Sequence, residues 1–339
     1  MEKLEALASV VRLSDHVARI LGQNPGKFTL QGTNTYLVGA QTPYTLIDTG
    51  EGKPEYIPLL ESTLREQRGS SASTTQPHVS DIIISHWHPD HVGGLPSVLS
   101  LLRRLWDERK TPLPFKPPRI HKFPHTSLPD HRLQQAVQSI PPDMYTAGPS
   151  GSLFHDLKDG QSFPITSSDA SFNSENHLRV IHSPGHTEDS ISLLLPSDNA
   201  LYTADTILGQ GTAIFEDLAT YISTLRTLLS LRDKYTVLYP GHGPVVQNGA
   251  QLISTYIEHR MEREGQIVQV MQQPSPEGAG GAWSTWGIVS KIYAAYPENL
   301  WEPAARSVDQ HLKKLEIDGR VRRLGGEGKD VQWELLAKL

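Results

Sequence analysis

Four potential metal ligands lie within six residues directly after an apolar run, and this cluster limits the possible folds more than any other feature. The run Ile82-Ile83-Ile84 has the β-branched composition of a buried strand. The turn that follows carries His86, His88, Asp90 and His91. Imidazole and carboxylate groups suit a borderline cation such as zinc. The pattern therefore predicts a sheet whose strand ends hold a metal centre.

Three more candidate ligands follow strand-like segments elsewhere in the chain. They are His186 in a Pro-Gly-His sequence, Asp205 after an apolar run, and His242 in a Gly-His-Gly sequence. The chain has no cysteine, so nitrogen and oxygen atoms must hold any metal. Seven ligands are too many for one tetrahedral zinc with an open position, and they suit two metals that share a bridging group.

The order of predicted elements favours an α/β protein. Short β-rich runs alternate with a helical stretch at 55–65 between residues 17 and 98, which predicts sheets covered by helices. The β-rich pattern resumes near residue 178 and closes with a long helix at 250–271. Between residues 103 and 152, nine prolines interrupt the periodicity, and we expect a loop-rich insertion with one helix at 130–139.

A Pro- and Gly-rich segment, 272–282, has the composition of a linker. It separates a predicted catalytic domain, 1–271, from a small domain, 283–339. In this second domain the apolar spacing predicts two helices, and two strand-like runs follow around a Gly-rich turn. Two helices followed by a hairpin predict a winged helix.

Composition and charge exclude several functional classes. Hydrophobic residues make up 37% of the 339 residues, and no apolar run approaches the roughly 18 residues that a membrane span needs. A net charge of -6 argues against strong nonspecific binding to nucleic acid. The first 22 residues lack the pattern of a targeting peptide, so we expect a cytoplasmic protein. The tripeptide Ala337-Lys338-Leu339 resembles a peroxisomal import signal and provides an alternative location.

The His-x-His-x-Asp-His cluster, together with the later Pro-Gly-His, Asp and Gly-His-Gly positions, resembles the metallo-β-lactamase superfamily. This resemblance implies an αββα sandwich. The stretches 24–39 and 208–218 resemble one subgroup with two kinds of member: fungal thioesterases that release polyketides from an acyl carrier protein, and animal endoribonucleases called β-lactamase-like protein 2. The chain departs from the pattern at the Pro-rich insertion and at Ala204, where glycine is usual. Alanine should be tolerated there unless the position requires positive φ.

The resemblance also implies a role for each candidate ligand. Two zinc ions are expected per chain, with Asp205 bridging them. A hydroxide between the two cations would be the nucleophile, and Asp90 would orient it and move a proton to the leaving group. The remaining residues would divide between the ions, with one set formed by His86, His88 and His186 and the other by Asp90, His91 and His242.

The metal centre alone leaves the substrate open. Single-stranded RNA would require a basic track, but residues 283–339 carry nine basic and eight acidic side chains, a net charge of +1. Arg320, Arg322 and Arg323 are the best candidates for contacts to phosphate. We therefore favour thioester hydrolysis with an acyl carrier protein domain of a polyketide synthase as the partner, and keep RNA cleavage as the alternative. No membrane partner is expected.

Overall fold

The computed structural model describes residues 4–66, 75–125, 134, 137–165, 176–275 and 281–336. Most of the helix predicted at 130–139 and the C-terminal tripeptide lie outside these residues. The chain divides into two compact units, which are described separately below. The first comprises residues 1–214 and 230–250, and the second comprises residues 215–229 and 251–339.

A seven-stranded sheet in the first unit follows the order of the chain. The strands from β1 to β4 pair antiparallel, and those from β4 to β7 pair parallel. The elements are β1 (Val10–Arg12), β2 (Val17–Leu21), β3 (Asn34–Val38), β4 (Tyr44–Ile47), α1 (Tyr56–Glu66), β5 (Val79–Ile84), α2 (Pro89–Val92), α3 (Leu95–Asp107), β6 (Arg119–Lys122) and β7 (Phe154–Asp156).

A second sheet in this unit has five strands in the spatial order β12-β11-β10-β9-β8. Its strands are β8 (Ser162–Pro164), β9 (His177–His182), β10 (Ile191–Leu195), β11 (Ala200–Ala204) and β12 (Val237–Pro240). The two sheets share an apolar core in which Ile83 packs with residues of the second sheet. Its neighbours Ile82 and Ile84 belong to the core under α1 and α3. Because β5 is covered on both faces, it is apolar at consecutive positions.

Among its described residues, the second unit has four α-helices and a small three-stranded sheet. Its elements are α4 (Leu218–Ser230), α5 (Gly249–Met271), β13 (Trp283–Ser284), α6 (Thr285–Ile292), α7 (Trp301–Ile317), β14 (Val321–Gly325) and β15 (Gln332–Leu335). Ile267 of α5 packs into the same core as Trp283 and Trp333. The last turns of α5 therefore belong to this core, and the domain bounds drawn from the sequence stay a prediction. None of the described helices is long and apolar enough to cross a bilayer.

The predicted mixed α/β class is confirmed, and within the segment predicted as a loop-rich insertion the structure has a strand that the sequence pattern did not indicate. The segment 103–152 contains the end of α3 and the whole of β6, which pairs with β5 inside the first sheet. Strand β6 reads Arg-Ile-His-Lys, so only one of its residues is a β-branched hydrophobe. Its position between two strands, rather than a hydrophobic pattern, makes it part of the sheet.

Candidate metal centre

The seven residues predicted as ligands converge at one edge of the first unit. The turn after β5 and helix α2 carry four of them, His186 lies between β9 and β10, and Asp205 and His242 follow β11 and β12. They form two groups in which the potential ligand atoms lie within 4.8 Å of one another. The first contains His86, His88, His186 and Asp205, and the second contains Asp90, His91 and His242. Their assignment as ligands stays a prediction.

The ring nitrogens of the first group are spaced like the donors of a tetrahedral metal. Nε2 of His86 lies 3.0 Å from Nδ1 of His88, and Nε2 of His186 lies 3.3 and 3.1 Å from these two atoms. A tetrahedron with metal–nitrogen distances of about 2.0–2.1 Å has edges of roughly 3.4 Å. The three imidazoles therefore leave a space between them that one small cation fits.

The second group has similar spacing and meets the first at Asp205. Oδ2 of Asp90 lies 3.4 Å from Nε2 of His91 and 3.2 Å from Nε2 of His242. The Asp205 carboxylate places Oδ1 3.3 Å from His91, and Oδ2 lies 3.2 Å from His242 and 3.7 Å from His186. Asp205 therefore faces both groups.

Two buried atoms at this edge, Nε2 of His91 and Oδ1 of Asp205, lie 3.3 Å apart, but neither makes a well-aligned hydrogen bond to any described residue. Leaving a buried polar atom unpaired costs roughly 1–3 kcal/mol. A cation held by these atoms would compensate that cost. The donor set and its spacing thus fit a divalent metal, and neutral imidazole with carboxylate is the ligand chemistry that zinc accepts.

Hydrogen bonds from the opposite ring nitrogens orient the histidines. Nδ1 of His91 donates to Asp48 at 2.8 Å, and Nδ1 of His186 donates to the carbonyl of Ile214 at 2.7 Å. Each bond leaves Nε2 free to face the centre. Asp48 is fully buried and also accepts bonds from the Ser85 amide and the Tyr202 hydroxyl. It is a functional candidate that the sequence analysis missed, although it follows β4 directly as the predicted ligands follow their strands.

Burial keeps the first group ready to bind a cation. Desolvation lowers the pKa of His88 to about 4, and desolvation together with neighbouring His91 holds the pKa of His86 well below its usual value. Both rings are therefore neutral at pH 7 and offer lone pairs. Burial raises the pKa of Asp90, but the adjacent His91 and His242 outweigh it and hold the pKa below its usual range. The carboxylate is therefore ionised.

Two small residues allow the close approach of Asp205. A Cβ atom on Gly241 would overlap the Asp205 carboxylate, so only glycine fits beside it. Ala204, the residue before Asp205, has φ +44°. The condition under which alanine was expected to be unfavourable is thus met, and the left-handed backbone costs roughly 1–2 kcal/mol for a residue with a Cβ atom.

A cavity of about 540 Å³ opens beside the two groups. Its walls come mainly from segments 27–30 and 208–214, the same stretches that carry the subgroup resemblance. Two large apolar side chains, Phe28 and Ile214, lie in these walls with 65% and 61% of their surface exposed. The candidate metal centre therefore has an apolar approach.

Comparisons with known proteins agree with this geometry. The profile of the metallo-β-lactamase superfamily matches residues 28–242, and that of the β-lactamase associated winged helix domain matches residues 284–333. The chain is 37% identical to the β-lactamase-like protein 2 homolog of Drosophila melanogaster, over 93% of both chains. It is 34% identical to the atrochrysone carboxyl ACP thioesterase nsrC of Aspergillus novofumigatus, over 94% of this chain and 84% of the relative.

Solved structures share the fold. A β-lactamase domain protein from Burkholderia ambifaria superposes with a TM-score of 0.63 at 16% identity, covering 99% of this chain and 96% of that one. A metallo-β-lactamase family protein from Thermus thermophilus gives a TM-score of 0.61 at 17% identity, covering 96% and 100%. The family supports a metal-dependent hydrolase. On its motifs, its sequence matches and its fold, the chain belongs to the metallo-β-lactamase superfamily.

Proposed function

We propose that the protein is a two-zinc hydrolase that cleaves the thioester between an acyl group, a polyketide, and an acyl carrier protein. The observation that carries this proposal is the apolar cavity at the candidate metal centre. A polyketide thioester presents a carbonyl next to a large, weakly polar acyl group. The cavity offers this group an apolar surface against which it can be buried away from water, formed by Phe28, Leu30, Leu208 and Ile214.

In this proposal the two groups of side chains each hold one zinc ion. His86, His88 and His186 bind the first, Asp90, His91 and His242 bind the second, and Asp205 contacts both. Divalent cations at such a site lower the pKa of bound water and polarise a carbonyl.

Asp90 is placed to handle the proton. The hydroxyl of Thr33 donates to Oδ2 of Asp90 at 3.0 Å, which restrains the carboxylate, and 20% of the Asp90 side chain is exposed to the cavity side. An ionised carboxylate in this position can orient a water molecule and pass its proton to the departing thiolate.

The arginines of the C-terminal hairpin support the proposal because their contacts argue against RNA as the substrate. Arg322 lies 2.5 Å from Glu334, and Arg320 lies 3.2 Å from the buried Glu264. The guanidinium of Arg323 donates to the carbonyl of Gly326. These three arginines, the best candidates for phosphate contacts, already have partners within the second unit, which favours the carrier thioester over RNA.

Cleavage of single-stranded RNA is the second candidate, and one observation favours it. At the cavity, Nζ of Lys27 lies 5.5 Å from the centre of the Phe28 ring. An aromatic face beside a cation can stack a base and contact a phosphate. The identity to the β-lactamase-like protein 2 homologs, slightly higher than to the thioesterases, points the same way.

Parallel assays of the full-length, zinc-loaded protein test the proposal. We expect hydrolysis of an acyl carrier protein loaded with an aromatic polyketide thioester, and no cleavage of a single-stranded RNA oligonucleotide. Asp205→Asn should abolish the hydrolysis. Zinc-dependent RNA cleavage that is lost in this variant, with no hydrolysis of the thioester, would contradict the proposal and support the second candidate.

A further inference from the structure

A buried ion pair joins the two sheets of the first unit beside the candidate metal centre. Nζ of Lys122 lies 2.5 Å from Oδ2 of Asp189. The Asp189 side chain is fully buried and that of Lys122 is 8% exposed. Lys122 ends β6 in the first sheet, and Asp189 lies in the loop between β9 and β10 of the second. A pair removed from water in this way is stable only while both charges are present.

Each end of this ion pair lies close to a ligand of the first group. In the parallel register of β5 and β6, Lys122 pairs with Ile84, two residues before His86. Asp189 follows His186 by three residues. The pair therefore connects the strand end that carries His86 to the loop that carries His186.

The loop between β9 and β10 is held together by internal hydrogen bonds, so a movement of Asp189 also moves His186. The amide of Ser183 donates to the carbonyl of Ser190 at 2.8 Å, which closes the base of the loop. The hydroxyl of Thr187, the residue next to His186, donates to Oδ1 of Asp189 at 2.8 Å. One carboxylate thus holds Lys122 with one oxygen and the neighbour of His186 with the other.

The first group requires such accuracy because its nitrogens come from both sheets. His86 and His88 follow β5 in the first sheet, whereas His186 belongs to the second, and the nitrogens must lie 3.1–3.3 Å apart across that boundary. A shift of the loop by about an ångström would place His186 outside the metal–nitrogen distance. The backbone bond from Ile191 to Ser85, at 3.0 Å, is a second link between the sheets at this level.

We infer that Lys122 and Asp189 are positioning residues that set the distance between His186 and the His86–His88 pair, and so control the zinc affinity of the first group. This inference rests on the proposed metal-dependent function. The second group takes His91 and Asp90 from the first sheet and His242 from the segment after β12, so it does not use the loop that Asp189 restrains.

Zinc titration of full-length protein against a chromophoric chelator tests the inference. Two backgrounds separate the groups: His242→Ala leaves the first group complete, and His88→Ala leaves the second complete. Asp189→Asn should weaken zinc binding about 10- to 100-fold in the His242→Ala background, the usual effect of losing a residue that orients a ligand. In the His88→Ala background the change should stay within about twofold.

Arg119→Met is the matched control, because Arg119 begins the same strand, β6, and forms an ion pair with buried Asp81 at 2.8 Å. It should lower the melting temperature and leave both zinc affinities unchanged. If Asp189→Asn does not fold, Lys122→Met tests the same link. The double variant Lys122→Met/Asp189→Leu removes both charges, so it should recover thermal stability relative to the single variants without recovering affinity at the first group.

The outcomes separate this inference from the proposed function. Failure of the wild-type chain to bind zinc contradicts the proposed function. If the wild-type chain binds two ions but Asp189→Asn and Lys122→Met leave the affinity of the first group unchanged, the inference is overturned and the proposed function is not. Equal weakening of both groups, or recovery of affinity together with stability in the double variant, would also overturn it, since the ion pair would then only stabilise the fold.

Discussion

The histidine cluster after β5 and the arginines of the C-terminal hairpin are both clusters of ionisable side chains, but their polar atoms are paired differently. At the edge that carries the candidate metal centre, His91 and Asp205 are buried, and within the described part of the chain each leaves one polar atom without a well-aligned hydrogen bond. On the hairpin, the Arg322 side chain is 62% exposed and lies against Glu334. A buried, unpaired atom is unfavourable unless a ligand compensates it, whereas an exposed, paired one needs no ligand. Burial and pairing together therefore separate a binding site from a solvated surface.

The largest expected effect is at Asp205, which faces both groups. Asp205→Ala should lower hydrolase activity at least about 1,000-fold, because both ions lose a ligand at once. Metal analysis of the purified protein should show reduced zinc content. Asp198→Asn is the matched control, since Asp198 is also a buried carboxylate of this unit but bonds to Ser14 and His16. Equal losses of zinc in the two variants would remove the distinction between a ligand and an ordinary buried carboxylate.

Asp48 sharpens the comparison because it is buried at the metal edge and fully paired. Asp48→Asn keeps the shape but weakens the bond that orients His91, so zinc affinity should fall about 10- to 100-fold. Chelator competition measures this change, and circular dichroism checks that the fold is retained. Wild-type zinc affinity in a folded Asp48→Asn protein would show that the carboxylate has no influence on the ligand beside it.

Strand ends explain why the positions of the candidate ligands could be predicted and the residues that support them could not. An apolar run followed by histidine or aspartate is visible in the sequence, so β5, β11 and β12 indicate where His86, Asp205 and His242 lie. The carbonyl of Ile214 that orients His186 is a backbone atom 28 residues away and has no sequence signal. The inter-sheet pair of Lys122 and Asp189 depends on a strand, β6, whose polar sequence concealed it.

The same reasoning applies to the backbone at Ala204. The family resemblance implied that glycine is usual there, but only the fold shows φ +44°, which gives the substitution a cost. The winged helix was predicted from helix spacing and two strand-like runs, and the structure has two strands there, β14 (Val321–Gly325) and β15 (Gln332–Leu335). Local patterns thus identify elements well, whereas contacts between distant segments require the folded chain.

In the second unit, His311 tests how a buried ionisable side chain behaves when it belongs to neither group of candidate ligands. Both ring nitrogens lack a hydrogen-bond partner among the described residues. Desolvation and the nearby Arg260 and Arg263 lower its pKa to about 3. The unfolded chain takes up this proton near pH 6.5, so between pH 6.5 and 3 the free energy of unfolding should fall as the pH falls. The slope is at most about 1.4 kcal/mol per pH unit.

His311→Leu should flatten this pH dependence, because the group that binds a proton only in the unfolded state is gone. Urea unfolding at several pH values, followed by tryptophan fluorescence, measures it. The exposed His259 provides the control, and His259→Gln should leave the slope unchanged. If the free energy of unfolding of His311→Leu depends on pH as steeply as that of the wild type, other groups cause the acid sensitivity.

The smallest effect is expected on the hairpin. Replacing Arg320, Arg322 and Arg323 with Ala should change thioester hydrolysis by less than about twofold, because their partners lie within the second unit and none of the three lines the cavity at the candidate metal centre. Glu334→Gln is the matched control, since it releases Arg322 without removing any positive charge.

If RNA is the substrate instead, the logarithm of the RNA affinity should fall with the logarithm of the salt concentration, with a slope of about -0.7 per contacted phosphate. The triple variant should then bind RNA more weakly with a shallower slope, whereas Glu334→Gln should bind at least as well as wild type. That result would mean that a paired, exposed arginine exchanges its carboxylate for phosphate, and pairing would no longer distinguish the hairpin from a binding site.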